Sequence, residues 1–191
     1  SVIARHDSGW AKVLIDADSK DARDRALAGI DVASDLLEGD VDRAVELAEN
    51  GRDSQAVPVF TSFLKNLRQQ DAERADQLFL SSLVRYANGG GIDPLSMGIL
   101  GTYLFRSPTA ISGDLGISMV RVGNVIIPDL SANQTYARSE LVRPYLQQII
   151  LSFGRPLPNQ KDNTVRYALG RILVGRAEEF APDLAAQLMS S

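Results

Sequence analysis

Cysteine is absent from the 191-residue chain, and histidine occurs once, at His6. The first absence excludes a disulfide framework and a thiolate zinc site; the second excludes a cluster of histidine ligands. A serine–histidine–acid triad would have to be built on His6, which reads more simply as a solvated residue near the chain start. No run approaches the ~20 consecutive apolar residues that a helix needs to span a bilayer. No basic segment followed by an apolar one opens the chain, so no signal peptide is read there, and one removed by processing would leave no trace. An excess of positive charge is also missing. The net charge is −4 and the isoelectric point about 5.0, which argues against a general nucleic-acid binder.

Motifs for common chemistries fail on inspection. Asp16-Ala17-Asp18-Ser19-Lys20-Asp21 has the acidic spacing that opens a calcium loop. Lys20 then stands where an oxygen ligand is needed, Asp21 where the turn needs glycine, and Leu27 where a closing glutamate is needed. The segment reads as a helix-cap cluster. Gly89-Gly90-Gly91 precedes a helix, as a phosphate-cradling loop would, but no Lys-Ser/Thr pair follows and no strand leads in. It reads as a linker. No GxSxG elbow occurs. The paired acids Glu178-Glu179 and Asp40/Asp42 suit solvated helix faces, and Asn133-Gln134-Thr135 matches a glycosylation acceptor by letters alone. No cofactor and no metal are therefore expected.

What the sequence does contain is ordinary globular material. Hydrophobic residues make up 45% and charged residues 23%, and a chain of this length buries a core without staples. Trp10, Val13, Leu14 and Ala17 fall at helical spacing. Ala26, Leu27, Ile30, Ala33 and Leu37 form the next stripe, and Gly39 is expected to close it in the left-handed conformation. Asp40 caps a helix carrying Ala44, Leu47 and Ala48. Ser54 opens one with Val59, Phe60, Phe63, Leu64 and Leu67, and Asp71 caps one with Ala75, Leu78, Phe79, Leu83 and Val84. Asp93-Pro94 starts a helix expected to run through Leu104, and residues 107–116 read as a loop. Gly123-Asn124 between beta-branched runs predicts a short hairpin at about 116–128. Leu141 to Phe153 give the cleanest helical stripe. Val165, Ala168, Leu169, Ile172, Leu173 and Ala177 follow, and Ala181-Pro182 starts a last helix.

An internal repeat underlies the first part. Asp40-Val41-Asp42-Arg43-Ala44 with Leu47 matches Asp71-Ala72-Glu73-Arg74-Ala75 with Leu78 at an offset of 31 residues. The first Asp suits free amides of a first turn, the second acid favours the positive end of the helix dipole, the Ala permits close approach and the Leu fills a core. These units, set in helix pairs over residues 22–88, resemble tetratricopeptide-like repeats, whose period is about 34 residues. That resemblance implies a concave face that binds peptides or proteins. The later Val122-Gly-Asn-Val-Ile-Ile-Pro128 segment looks like that of bacterial domains of unassigned activity.

The expected architecture is all-α: antiparallel helix pairs stacked as a right-handed, tetratricopeptide-like α-solenoid, with one hairpin inserted near 116–128. A single helical domain over 1–191 is expected, with halves 1–88 and 92–191 joined at Gly89–Gly91. The chain opens at Ser1, and Leu188 and Met189 sit inside an apolar pattern, as in a segment cut from a longer protein.

Charge is unevenly spread along it. Residues 1–80 carry a net −6 and residues 131–176 a net +5. Arg143, Arg155, Arg166, Arg171 and Arg176 are candidates for a basic surface, facing either an anionic partner or the acidic first half. Tyr86, Tyr103, Tyr136 and Tyr167 lie off or beside the apolar stripes and are candidates for a binding wall. The function expected is a non-catalytic scaffold for a protein or peptide, with self-association left open. The alternatives weighed are a structural or regulatory segment of a larger protein and an enzyme whose catalytic groups are scattered beyond any motif.

Overall fold

The computed structural model describes residues 22–50, 56–88, 92–106, 117, 119–131, 134–135, 138–156 and 160–190. The helix expected around Trp10, the Asp16–Asp21 cluster, His6, Ser54, Gly89–Gly91, the 107–116 loop, Asn133 and Tyr136 lie outside them. The protein is mostly helical, with eight helices among the described residues, and the expected hairpin is the longest β element between them. Two compact units divide at Phe79 and Leu80.

The first unit holds α1 (Ala22–Leu36), α2 (Val41–Asn50), α3 (Val57–Gln70) and the opening turns of α4 (Ala72–Asn88). α1 packs on α2 and α3. Ile30, Ala33, Ala44, Phe60, Leu64 and Leu67 have no exposed surface. Each such leucine or phenylalanine side chain contributes roughly 1.5–3 kcal/mol of transfer free energy. Val59 and Val84, expected on buried stripes, are half-buried and exposed.

Gly39 does not close α1 as expected. Its φ is not positive, and the turn is made instead by the Gly39 and Asp40 amides, which both donate to the Leu36 carbonyl at 3.0 and 2.8 Å. The two repeat copies are locally alike. The Asp40 carboxylate accepts from the Arg43 amide at 3.0 Å, and the Asp71 carboxylate accepts from the Arg74 amide at the same 3.0 Å. Ala44 and Ala75 are fully buried beneath these caps. Asp71 also ends α3, its amide donating to the Leu67 carbonyl at 2.7 Å. An Arg68–Asp76 ion pair, mostly shielded from solvent, then ties α3 to α4.

The second unit holds the rest of α4, α5 (Pro94–Gly101), β1 (Phe105–Arg106), β2 (Met119–Val122), β3 (Val125–Pro128), β4 (Gln134–Thr135), α6 (Ser139–Phe153), α7 (Gln160–Phe180) and α8 (Pro182–Ser190). α5 stops three residues short of Leu104 and continues as a hydrogen-bonded turn. β2 and β3 pair antiparallel, Val122 opposite Val125 and Val120 opposite Ile127. Gly123 has φ +62° and Asn124 does not have positive φ, as a type II′ turn requires. β1 and β4 make a second, two-residue antiparallel ladder that the residue pattern does not signal.

α7 is the hub of this unit: α5, α6, α8 and β3 all pack on it. Close approach is arranged by glycine. A β-carbon at Gly98 would stand 2.9 Å from Leu169 Cδ2, and one at Gly101 would stand 2.2 Å from the Tyr145 hydroxyl. That hydroxyl, fully buried, donates to the Met97 carbonyl at 3.0 Å, so α6 is hydrogen-bonded as well as packed onto α5.

Candidate functional site

The candidate residues separate once burial is read. Tyr86 and Tyr103 retain 7% and 2% of their surface, so neither forms a binding wall. Tyr86 follows Phe79 and Leu83 at helical spacing and belongs to the same stripe. Tyr103 turns inward at the end of α5, where no periodicity marks a face. Arg176 is buried too. Its Nε donates to the Leu130 carbonyl at 3.1 Å, Nη1 bonds Glu179 at 2.9 Å, and the guanidinium lies 5.6 Å from the centre of the Phe105 ring. It is a structural strut between α7 and the segment after the hairpin rather than part of a surface. Arg143 is exposed, but both of its Nη atoms bond the Asp183 carboxylate, linking α6 to the first turn of α8. The Arg143 hydrogen bond holds that carboxyl below the usual aspartate range. Arg155 donates from Nη2 to the Ala87 carbonyl at 3.2 Å.

Three candidates come together. Asn163, Arg166, Tyr167, Gly170, Arg171 and Val174 recur at intervals of three and one, which places them along one face of α7. They line a pocket of about 250 Å³ with Phe153 from the end of α6 and with Leu188 and Met189 from α8. Gly170 makes the depression. With no side chain there, the Phe153 ring reaches the helix, and an added β-carbon would lie 3.4 Å from Phe153 Cε2. Phe153 and Leu188 are buried and form the apolar floor; Tyr167 and Met189 are 68% and 67% exposed and form the walls.

The two arginines of the pocket differ in what they are free to do. Arg166 is half-buried and committed. Its Nη1 donates to the Phe153 and Arg155 carbonyls, and its Nη2 bonds Asn163 Oδ1 at 2.9 Å. It thereby neutralises the negative end of the α6 dipole and fixes Phe153 as floor. Arg171 is exposed, and among the described residues it carries no hydrogen bond or ion pair. Tyr167, one helical turn before it, likewise has no hydrogen bond. Among the described residues, none that lines the pocket is acidic.

The arrangement can hold an apolar group against Phe153 and an anion against Arg171. The residue pattern flagged Arg166, Tyr167 and Arg171 but missed Phe153, Asn163, Gly170, Val174, Leu188 and Met189. For Asn163, Gly170 and Val174 the signal is their spacing with Tyr167 on one helical face; Phe153, Leu188 and Met189 come from other helices and have no such signal. Among the described residues no group of three or more His, Asp or Glu side chains is placed to hold a metal ion, and no helix is long and apolar enough to cross a membrane. No family model, curated protein or solved structure matches the chain.

Proposed function

We propose that the protein is a non-catalytic helical scaffold that binds a peptide or protein segment in the α7–α8 groove. The observation that carries this reading is the exposed Tyr167–Arg171 pair, unpartnered among the described residues, beside an apolar floor. The neighbouring Arg143, Arg155, Arg166 and Arg176 are each engaged within the fold, so Arg171 is the guanidinium of this set left for a partner. An exposed aromatic, an unpaired arginine and a small apolar depression are the elements from which interface anchor points are built. The pocket is smaller than the roughly 300 Å³ at which small-molecule sites begin, which suits one anchoring side chain better than a whole cofactor.

The stacked, tetratricopeptide-like arrangement of α1–α4 belongs to the same proposal. Two facts support it: the caps at Asp40 and Asp71 are alike, and Arg74 of the second copy pairs with Asp42 of the first, as neighbouring units in a stack would.

The test is selection of a phage-displayed random dodecapeptide library on the full chain, with counter-selection on a Tyr167→Ala/Arg171→Glu double variant. Both side chains are exposed, so the variant is expected to keep the circular dichroism and melting of the wild type. Clones that bind the wild type and not the variant support the reading. A selection in which no clone discriminates between the two overturns it.

A further inference from the structure

The partner's chemistry follows from the charge of the groove. Arg171 stands at the rim, Arg166 lies just inside with its charge directed at the end of α6, and among the described residues the lining contains no carboxylate to balance Arg171. Of the acids on the adjoining elements, Asp183 is occupied by Arg143 and Glu179 by Arg176, while Glu178 is exposed two turns beyond Arg171 and does not line the pocket. The stretch that contains the groove face, residues 131–176, is the one part of the chain with a large positive excess, a net +5. An unpaired guanidinium in that setting favours a carboxylate, which it can meet with two parallel hydrogen bonds.

Volume and floor set the rest. About 250 Å³ above Phe153 and Leu188 takes one large apolar side chain, and Tyr167 offers an aromatic face to the chain that carries it. Building on the binding role proposed above, we infer that the groove recognises an acidic peptide segment in which a single leucine-, methionine- or phenylalanine-type side chain enters the pocket and a nearby Asp or Glu pairs with Arg171.

The experiment uses synthetic fluorescent peptides copied from the clones selected on the full chain, with binding read by anisotropy. Each peptide is compared with a copy whose Asp and Glu are replaced by Asn and Gln, with a copy whose apolar anchor is replaced by Ser, and with plain oligoglutamate. Both replaced copies are expected to bind at least about tenfold more weakly, a loss of about 1.4 kcal/mol. Oligoglutamate should not compete, and Arg171→Glu should abolish the preference for the acidic copy.

Clones without acids overturn the inference, as does equal binding of the amide copy that is still lost on Tyr167→Ala; in both cases the groove remains a peptide site. Equal competition by oligoglutamate overturns the anchor and leaves only a charge attraction. Selected clones that bind Tyr167→Ala and Arg171→Glu as well as the wild type overturn both the inference and the binding role beneath it.

Discussion

The Tyr145 ring occupies the space that a side chain at residue 101 would fill, and its hydroxyl reaches the Met97 carbonyl across two helices. Burial pushes this phenol well above its ordinary titration range, because the phenolate would lose its hydration without gaining a cation. The sign of the resulting pH dependence is fixed. In the unfolded chain the phenol ionises near pH 10, whereas in the folded chain it stays protonated, so its contribution is intact below about pH 10 and is lost as pH rises beyond it. Urea unfolding of Tyr145→Phe should therefore show a shallower alkaline loss of stability than the wild type, and a cost of about 1 kcal/mol at neutral pH from the deleted hydrogen bond.

Asp183 runs the other way. Its pairing with Arg143 depresses the folded titration, so the pair's contribution is present above the unfolded aspartate value near 4 and fades as pH falls through the lower folded one. Carboxyl carbon NMR should find Asp183 titrating below an ordinary aspartate, and Arg143→Ala should bring it back.

At the scale of the element, the helical glycines divide by what stands beside them. A β-carbon at Gly101 would be 2.7 Å from Tyr145 Cζ, part of a rigid ring with nowhere to move, while one at Gly175 meets nothing within 4 Å. Gly101→Ala is expected to cost about 1–3 kcal/mol by overpacking. Gly175→Ala is expected to gain up to about 1 kcal/mol, since alanine loses less freedom in a helix interior. Paired denaturation curves decide both, and a stabilised Gly101→Ala would show that α5 and α6 are less tightly seated than the geometry indicates.

The elements were legible where one periodicity runs uninterrupted. Of the stripe Leu141, Val142, Tyr145, Leu146, Ile149, Ile150 and Phe153, all are buried in α6 except Ile150, which is half-buried. Gly-Asn between beta-branched residues likewise announced the β2–β3 turn, because the required backbone conformation is a local property of those two residues. Helix ends were less legible. Gly39 had the right type for a left-handed cap, but hydrogen bonds to the Leu36 carbonyl closed the turn without it. The β1–β4 ladder joins residues about 30 apart in sequence, and a two-residue strand has no pattern to read.

For the whole molecule, the unread part was which side chains meet. Arg176 looked like surface because the Leu130 carbonyl it bonds lies 46 residues away, and only the folded chain brings them together. Tyr86 could have been recognised from its spacing to Leu83 and Phe79, whereas nothing local distinguishes Tyr103 from an exposed tyrosine. A third of the candidate site was legible, since three of its nine lining residues, Arg166, Tyr167 and Arg171, share a helix. Its floor was not, because Phe153 and Leu188 arrive from two other helices at a depression made by the absence of a side chain at Gly170.

The position of α7 has a thermodynamic consequence. The helix that presents Tyr167 and Arg171 to solvent is the one on which α5, α6, α8 and β3 are mounted. Anything seated on its open face must be released before that assembly can come apart. Occupancy therefore delays melting, by about 2.7 kcal/mol at a free concentration one hundred times Kd. Calorimetry of the second unit's transition thus registers an unlabelled occupant, whatever its sequence. A peptide that binds the groove tightly yet leaves that transition in place would show that it favours the unfolded chain equally.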